Sequence, residues 1–174
     1  LFGVDKKYRF LPIYSVSGLY RISNEPFFKP ATGWMDNLSL RLSYGLQGNI
    51  DKNTSPYLIG TYGTQTILPN NTENSISISS APNDKLRWEK TASYNIGVDF
   101  SVLKSAINLS VDYYYRKGTD LIGVKNLPLE NGFNGMTINW ASMENKGIEV
   151  NLQTRNITTR NFSWYTTFNF AYNY

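Results

Sequence analysis

The carboxylates Glu89 and Asp99 are the first residues in this chain whose spacing could support chemistry. Both fall on the odd positions of one alternating run, ten residues apart. Extended backbone separates such positions by about 33 Å. A glycosidase pair needs roughly 5–10 Å, so these two read as separate charges on a wet surface. Asp51–Asn53 lacks the acid density of a calcium loop. The chain has no cysteine and no histidine. That removes thiolate metal sites, disulfides and the commonest general base. The Asn-x-Ser/Thr matches at Asn53-Thr54-Ser55 and Asn108-Leu109-Ser110 are short enough to arise by chance. No enzymatic activity, metal or cofactor is expected. What remains is aromatic: Tyr57, Tyr62, Phe133 and Trp140 stand in long polar stretches, where they could stack on sugar rings, pack the loops or meet a partner.

The elements that would position these residues are strands. From Leu86 to Val102 the even positions are Leu86, Trp88, Lys90, Ala92, Tyr94, Ile96, Val98, Phe100 and Val102, and the odd positions carry no large apolar side chain. A period of two held this long predicts a strand with one greasy face and one wet face. Most strands run about five or six residues. Similar alternation predicts strands near Tyr8–Ile22, Asn37–Gln47, Ala106–Lys117, Trp140–Asn156 and Phe162–Tyr174. Pro12 cannot donate to a ladder and should interrupt pairing in the first of these.

The connections differ in length. Residues 103–105 and 157–161 are tight, 23–36 is intermediate, and long loops are expected near 48–84 and 118–139. Within the first long loop, Tyr57–Tyr62 and Ser75–Ser79 could form short strands. Short turns at one end and long loops at the other match a membrane β-barrel, with the short turns in the periplasm and the long loops outside. No apolar run approaches the roughly 18 residues a membrane helix needs. The aromatic share is 15% and the mean hydropathy is -0.38, which suits sheets with a single apolar side.

A soluble barrel or sandwich would also alternate, so strand length discriminates. A tilted strand advances about 2.5 Å per residue along the barrel axis, and an apolar band about 25 Å tall takes about ten residues. Four of the runs reach that length. Aromatics near their ends suggest interfacial girdles. The opposite faces carry Arg9, Arg41, Arg87, Glu89, Asp99, Asp112, Glu149 and Arg155, which need water or partners. The expected architecture is an all-β, antiparallel transmembrane barrel, of which this chain supplies an arc of about six strands. Lys90, the exception on the greasy face, is expected at the outer interface beside Trp88, against anionic lipid headgroups. The start at Leu1 and the finish inside an alternating run suggest a piece of something longer. The net charge of +4 comes without a basic, aromatic-interleaved run, so nucleic acid is not an expected partner.

Several segments resemble SusC/RagA-like TonB-dependent outer-membrane receptors. They are SYGLQGN (Ser43–Asn49), LRWEKTASYNIGVDF (Leu86–Phe100), VDYYYRKGTDLI (Val111–Ile122) and NKGIEVNLQTRNI (Asn145–Ile157). FLPIYSVSGLYRISNEPFF (Phe10–Phe28) resembles that family's FPSxSxxWRIxxE-type strand, with Leu11-Pro12-Ile13 in place of its Phe-Pro-Ser and Tyr20 in place of its Trp. The resemblance implies a 22-stranded barrel in the outer membrane of a Gram-negative cell, with an N-terminal plug that has no counterpart in these residues. It implies import of oligosaccharides or peptides with energy delivered by the TonB complex through other parts of the protein, and a SusD-like surface lipoprotein as partner. The alternative is a passive porin-like barrel, or a structural barrel or sandwich without energy coupling.

Overall fold

A computed structural model describes residues 3–31, 33–69 and 71–174. Strands account for most of them: β1 (Tyr14–Arg21), β2 (Met35–Asn49), β3 (Ile59–Leu68), β4 (Asn71–Ser80), β5 (Glu89–Val102), β6 (Ile107–Asn126), β7 (Gly135–Thr158) and β8 (Ser163–Asn173). Short 3-10 turns occupy Lys6–Tyr8, Ile22–Asn24, Pro26–Ala31 and Leu129–Asn131. Six strands form one antiparallel sheet in the order β1-β2-β5-β6-β7-β8, and β3 pairs with β4 in a separate hairpin. Apart from that hairpin, order in the sheet follows order in the chain. This up-and-down succession is how a barrel wall is laid down.

The described residues gather into two compact units. One comprises Ile13–Leu46, Ala92–Lys117 and Glu144–Tyr174. Its sheet keeps a strict register between β1 and β2, from Tyr14↔Leu46 to Arg21↔Ser39. β7 and β8 stay in step from Gly147↔Asn173 to Arg155↔Tyr165, then slip by one residue at Asn156, where a bulge forms. Alternation puts Val16, Leu42, Tyr94, Ile96, Val98 and Phe170 on one face, and all of them are exposed. Among the described residues the buried hydrophobics are Val4, Leu86 and Val102. Among the described residues, nothing covers the apolar face.

Rings mark two levels of that face. Tyr14, Tyr44, Tyr94 and Tyr115 form a row across β1, β2, β5 and β6, with successive centroids 5.9, 4.8 and 6.1 Å apart. Trp34 and Phe100 meet edge-on at 6.3 Å beside the tight turn after β5.

That turn is strained. Leu103, Lys104 and Ser105 all have left-handed backbone, with φ of 55, 54 and 58°, costing non-glycine residues roughly 1–2 kcal/mol each. Hydrogen bonds to the neighbouring strands hold it. The Leu103 amide donates to the Trp34 carbonyl at 2.9 Å, and the Ser105 amide donates to Asp36 Oδ2 at 2.8 Å. Arg155 Nη2 donates to the Lys104 carbonyl at 2.9 Å.

The other unit comprises Leu1–Pro12, Gln47–Thr91 and Gly118–Met143. Here the structure departs from the expected strand limits. β6 continues to Asn126 and β7 begins at Gly135, so most of the stretch expected as a loop near 118–139 is strand. Gly118, Gly123 and Gly135 look like loop residues in the sequence. In the fold they are seats for larger side chains: Leu121 lies against Gly118, the Trp140 indole over Gly123 and Val124 against Gly135. The 48–84 stretch contains the β3–β4 hairpin, both of whose strands are longer than expected. β1 starts after Pro12, at Tyr14, while Lys6–Tyr8 form a 3-10 turn capped by the Asp5 carboxylate. β5 starts at Glu89, three residues later than the alternation suggests.

Candidate functional site

The polar face of the Ile13–Leu46, Ala92–Lys117 and Glu144–Tyr174 unit carries one dense charge network. Arg41 on β2, Asp99 on β5 and Asp112 on β6 sit opposite Leu42, Val98 and Tyr113 in their own strands, so alternation alone brings them to this side. Arg41 Nε donates to Asp99 Oδ2 at 2.7 Å, and Nη2 donates to Asp99 Oδ1 at 3.1 Å. Nη2 also donates to Asp112 Oδ2 at 3.0 Å and to Ser110 Oγ at 3.2 Å. Ser110 Oγ donates in turn to Asp99 Oδ1 at 2.9 Å. The guanidinium fork thus ties three adjacent strands together, a geometry lysine cannot reproduce.

Gly97 makes room for it. A Cβ there would lie 2.5 Å from Asp112 Oδ1 and 2.8 Å from Arg41 Cζ. Around the network the wall is hydrophilic, and the single guanidinium is shared between two carboxylates. Asn37, Ser101, Asn108, Asn151 and Gln153 line a concavity of about 480 Å³ beside Asp99 and Asp112. Glu149 is exposed on β7 and shares a second concavity with Ser110, Asp112 and Asn169.

The Leu1–Pro12, Gln47–Thr91 and Gly118–Met143 unit holds a second network, built on the WEKT segment. Trp88 Nε1 donates to the Arg9 carbonyl at 3.3 Å. Among the described residues Glu89 pairs with no cation; its Oε1 accepts from the Ile122 amide at 2.8 Å and its Oε2 from Asn49 Nδ2 at 2.7 Å. Lys90 Nζ lies 3.2 Å from Asp120 Oδ2, and Arg87 Nη2 lies 2.7 Å from Asp120 Oδ1. Lys90, expected against lipid headgroups, therefore has a carboxylate partner inside the chain. Asp120 is itself a non-glycine residue at φ 58°. Asn139 fastens this kink: its Nδ2 donates to the Asp120 and Arg87 carbonyls, both at 2.7 Å, and its Oδ1 accepts from the Arg87 amide at 2.9 Å. The Arg87 guanidinium holds the Asp120 carboxyl below the usual carboxylate range; partial burial opposes this and Lys90 assists it. Asp120 in turn raises Arg87.

The residues expected to bear charge thus separate into two sets. Arg41, Asp99 and Asp112 meet one another. Arg87 meets Asp120, and Glu89 serves backbone and amide donors. Asp120, Asn139, Ser110 and Gly97 were not legible as members. Gly97 alone left a signal, as a glycine on the wet face of a long strand.

The aromatic candidates all lie in the Leu1–Pro12, Gln47–Thr91 and Gly118–Met143 unit. Tyr62 on β3 is 84% exposed and pairs across the hairpin with Ile76. Trp140 is 63% exposed, with its indole over Gly123. Tyr57 is exposed and Phe133 half-buried. Asp51, once considered for calcium, closes a local turn, its carboxylate accepting from the Asn53 amide at 2.9 Å.

A bare apolar face, a charged polar face and an up-and-down strand order describe a barrel wall. Residues 6–174 match the family described as TonB dependent receptor-like, beta-barrel. The chain belongs to the TonB-dependent receptor family. It is similar to a TonB-dependent receptor of Formosa agariphila, with 36% identity over 154 residues. It is also similar to the TonB-dependent receptor SusC of Bacteroides thetaiotaomicron, with 32% identity over 179 residues. These alignments take in 88% and 99% of this chain, but 14% and 17% of the relatives. Among solved structures it is similar to a chain of the RagAB peptide importer in the 'open-open' state, with a TM-score of 0.81 and 27% identity, covering 98% of this chain and 18% of that one. Against the 'closed-closed' state the TM-score is 0.80 at 28% identity, with the same coverage. The TonB-dependent receptor barrel is an outer-membrane structure, and this chain is part of its wall.

Proposed function

We propose that the full-length receptor imports large nutrients, oligosaccharides or peptides, across the outer membrane with energy delivered through TonB. The observation that carries this reading is the division of faces in one sheet. One face is apolar and uncovered; the other is polar, with its strongest charges tied into the Arg41–Asp99–Asp112 network. A wall built this way can stand in lipid on one side and line a wet passage on the other. In this reading Arg41, Arg87, Glu89, Asp99, Asp112 and Glu149 face the lumen, and the segments 48–84 and 118–139 lie outside the cell. Tyr57, Tyr62, Phe133 and Trp140 then meet either the substrate or a SusD-like surface lipoprotein. The names of the relatives support both the energy source and the two-component arrangement.

Uptake by intact cells tests the proposal. Cells carrying the full-length receptor take up fluorescent oligosaccharides or peptides, and a protonophore abolishes the uptake. Uptake that persists undiminished after the proton-motive force is collapsed would instead establish the passive, porin-like alternative.

A further inference from the structure

The apolar face of the sheet is not evenly filled. Between the tyrosine row and the next row of side chains lies a groove of about 500 Å³, almost wholly apolar, lined by Val16, Gly18, Leu42, Tyr44, Tyr94 and Ile96. Its cause is a single residue. In the β1–β2 register Gly18 stands opposite Leu42, while Val16 and Tyr20 flank it two residues away on the same face. Where neighbouring strands contribute Leu42 and Ile96, β1 contributes only backbone. Apart from Gly18 and its two chain neighbours, no atom of the described residues lies within 4 Å of where a Cβ on Gly18 would stand. Its backbone is an ordinary extended strand, so neither a positive φ nor a close approach accounts for the glycine.

We propose that this groove is a seat for one acyl chain of an outer-leaflet glycolipid. Three observations converge on that occupant. The groove is continuous with the face that the receptor barrel turns to the bilayer, so its natural filler is hydrocarbon. It lies immediately beside the row of Tyr14, Tyr44 and Tyr94, whose amphipathic rings suit the headgroup boundary. That row stands toward the ends of β2 and β5 remote from the tight turn at 103–105, which is the outer half if short turns are periplasmic. The outer leaflet of this membrane is built of glycolipid with several acyl chains per headgroup. A groove edged by rings restricts one chain more than a flat wall does, so that lipid should exchange more slowly than its neighbours. The proposal rests on the outer-membrane reading and not on transport.

Native mass spectrometry of the full-length receptor, purified in mild detergent and then exchanged into fresh detergent, tests it. Defined lipid A and, separately, phosphatidylethanolamine are added back. The wild type is expected to retain one lipid A per barrel. Gly18→Leu fills the groove, and the open space around residue 18 lets it fold; retained lipid A should fall at least tenfold. Gly18→Ala should fall between the two, and serves if Gly18→Leu does not insert. Gly33→Leu, another glycine with open space around it, should bind as the wild type does. Equal lipid A retention in wild type and Gly18→Leu overturns the proposal, as does retention of phosphatidylethanolamine in its place, or of neither lipid. Heat-modifiable gel mobility, measured on every variant, reports barrel insertion independently of lipid. Loss of insertion in the wild type would count against the membrane reading itself.

Discussion

Arg41 lays its guanidinium across Gly97, so that a Cβ on residue 97 would fall 2.8 Å from Arg41 Cζ and Nη2. The glycine on β5 and the cation on β2 are thus one device: absence of a side chain on one strand allows an ion pair between its neighbours. Gly97→Ala is expected to displace the fork from Asp99 and Asp112 and destabilise the barrel by about 1–3 kcal/mol, the usual range for overpacking. Arg41→Ala should cost a similar amount, because it leaves two carboxylates facing each other. The double variant should cost much less than the sum, since Gly97→Ala has little left to displace. Urea unfolding of the full-length barrel in detergent, run as a double-mutant cycle, measures the coupling; additive effects would show that the two residues act independently.

Glu89 does structural work at the Asp120 kink. Glu89→Ala leaves the part-buried Ile122 amide and the exposed Asn49 side chain without their acceptor, at a cost of about 0.5–1.5 kcal/mol, the usual net worth of a hydrogen bond. Glu89→Gln keeps one carbonyl oxygen and should recover most of that loss. Unfolding midpoints of the two variants make the comparison. A Gln variant as unstable as the Ala variant would mean that the negative charge, and not the hydrogen bonding, is what matters.

With the segment 118–139 outside the cell, as proposed above, the Asp120 ion pairs give a pH signature. The folded-state pKa of Asp120 is lowered, first by Arg87 and then by Lys90, against the opposing effect of burial. Its contribution to stability is therefore fully present above the unfolded carboxyl pKa of about 3.9 and is lost as pH falls through the lower folded value. Asp120→Asn should be less stable than wild type at neutral pH, with the gap narrowing below about pH 4. Unfolding measured from pH 3 to 7 should show that convergence.

How much of this was legible beforehand follows from distance along the chain. Alternation of Tyr94, Ile96 and Val98 with Asn95, Gly97 and Asp99 needs only the geometry of an extended backbone, so the sheet and its two faces could be read directly. The placing of Arg41, Asp99 and Asp112 on one face followed from the same rule. Their meeting did not, because it depends on register between strands up to 71 residues apart. The Asp120 kink was invisible for another reason. A non-glycine residue at φ 58° leaves no mark in composition, and the flanking Gly118 and Gly123 suggested a loop. The Lys90 ion pair was hidden on the same account: its partner is Asp120 at the kink itself, within a stretch expected as loop.

Tyr62 tests the outward aromatics without disturbing the fold. At 84% exposure it contributes little to packing, so Tyr62→Ala should leave the unfolding midpoint within about 0.5 kcal/mol of wild type. If Tyr62 meets substrate or partner lipoprotein, uptake or partner binding should fall several-fold. Pull-down of the lipoprotein and cellular uptake, measured on the same variant, separate those two roles. Unchanged results in both would remove Tyr62 from the contact surface.

The two-faced wall is tested most directly along β5. The chain contains no native cysteine, so single cysteines from Tyr94 to Asp99 can be introduced into this segment of the full-length receptor. Variants reconstituted in vesicles would be treated with a membrane-impermeant maleimide, with lipid-borne quenchers reporting the complementary face. Asn95→Cys and Asp99→Cys are expected to react from water. Tyr94→Cys, Ile96→Cys and Val98→Cys are expected to resist the maleimide and, when fluorescently tagged, to be quenched from lipid. Equal maleimide labelling at both sets of positions would contradict the account.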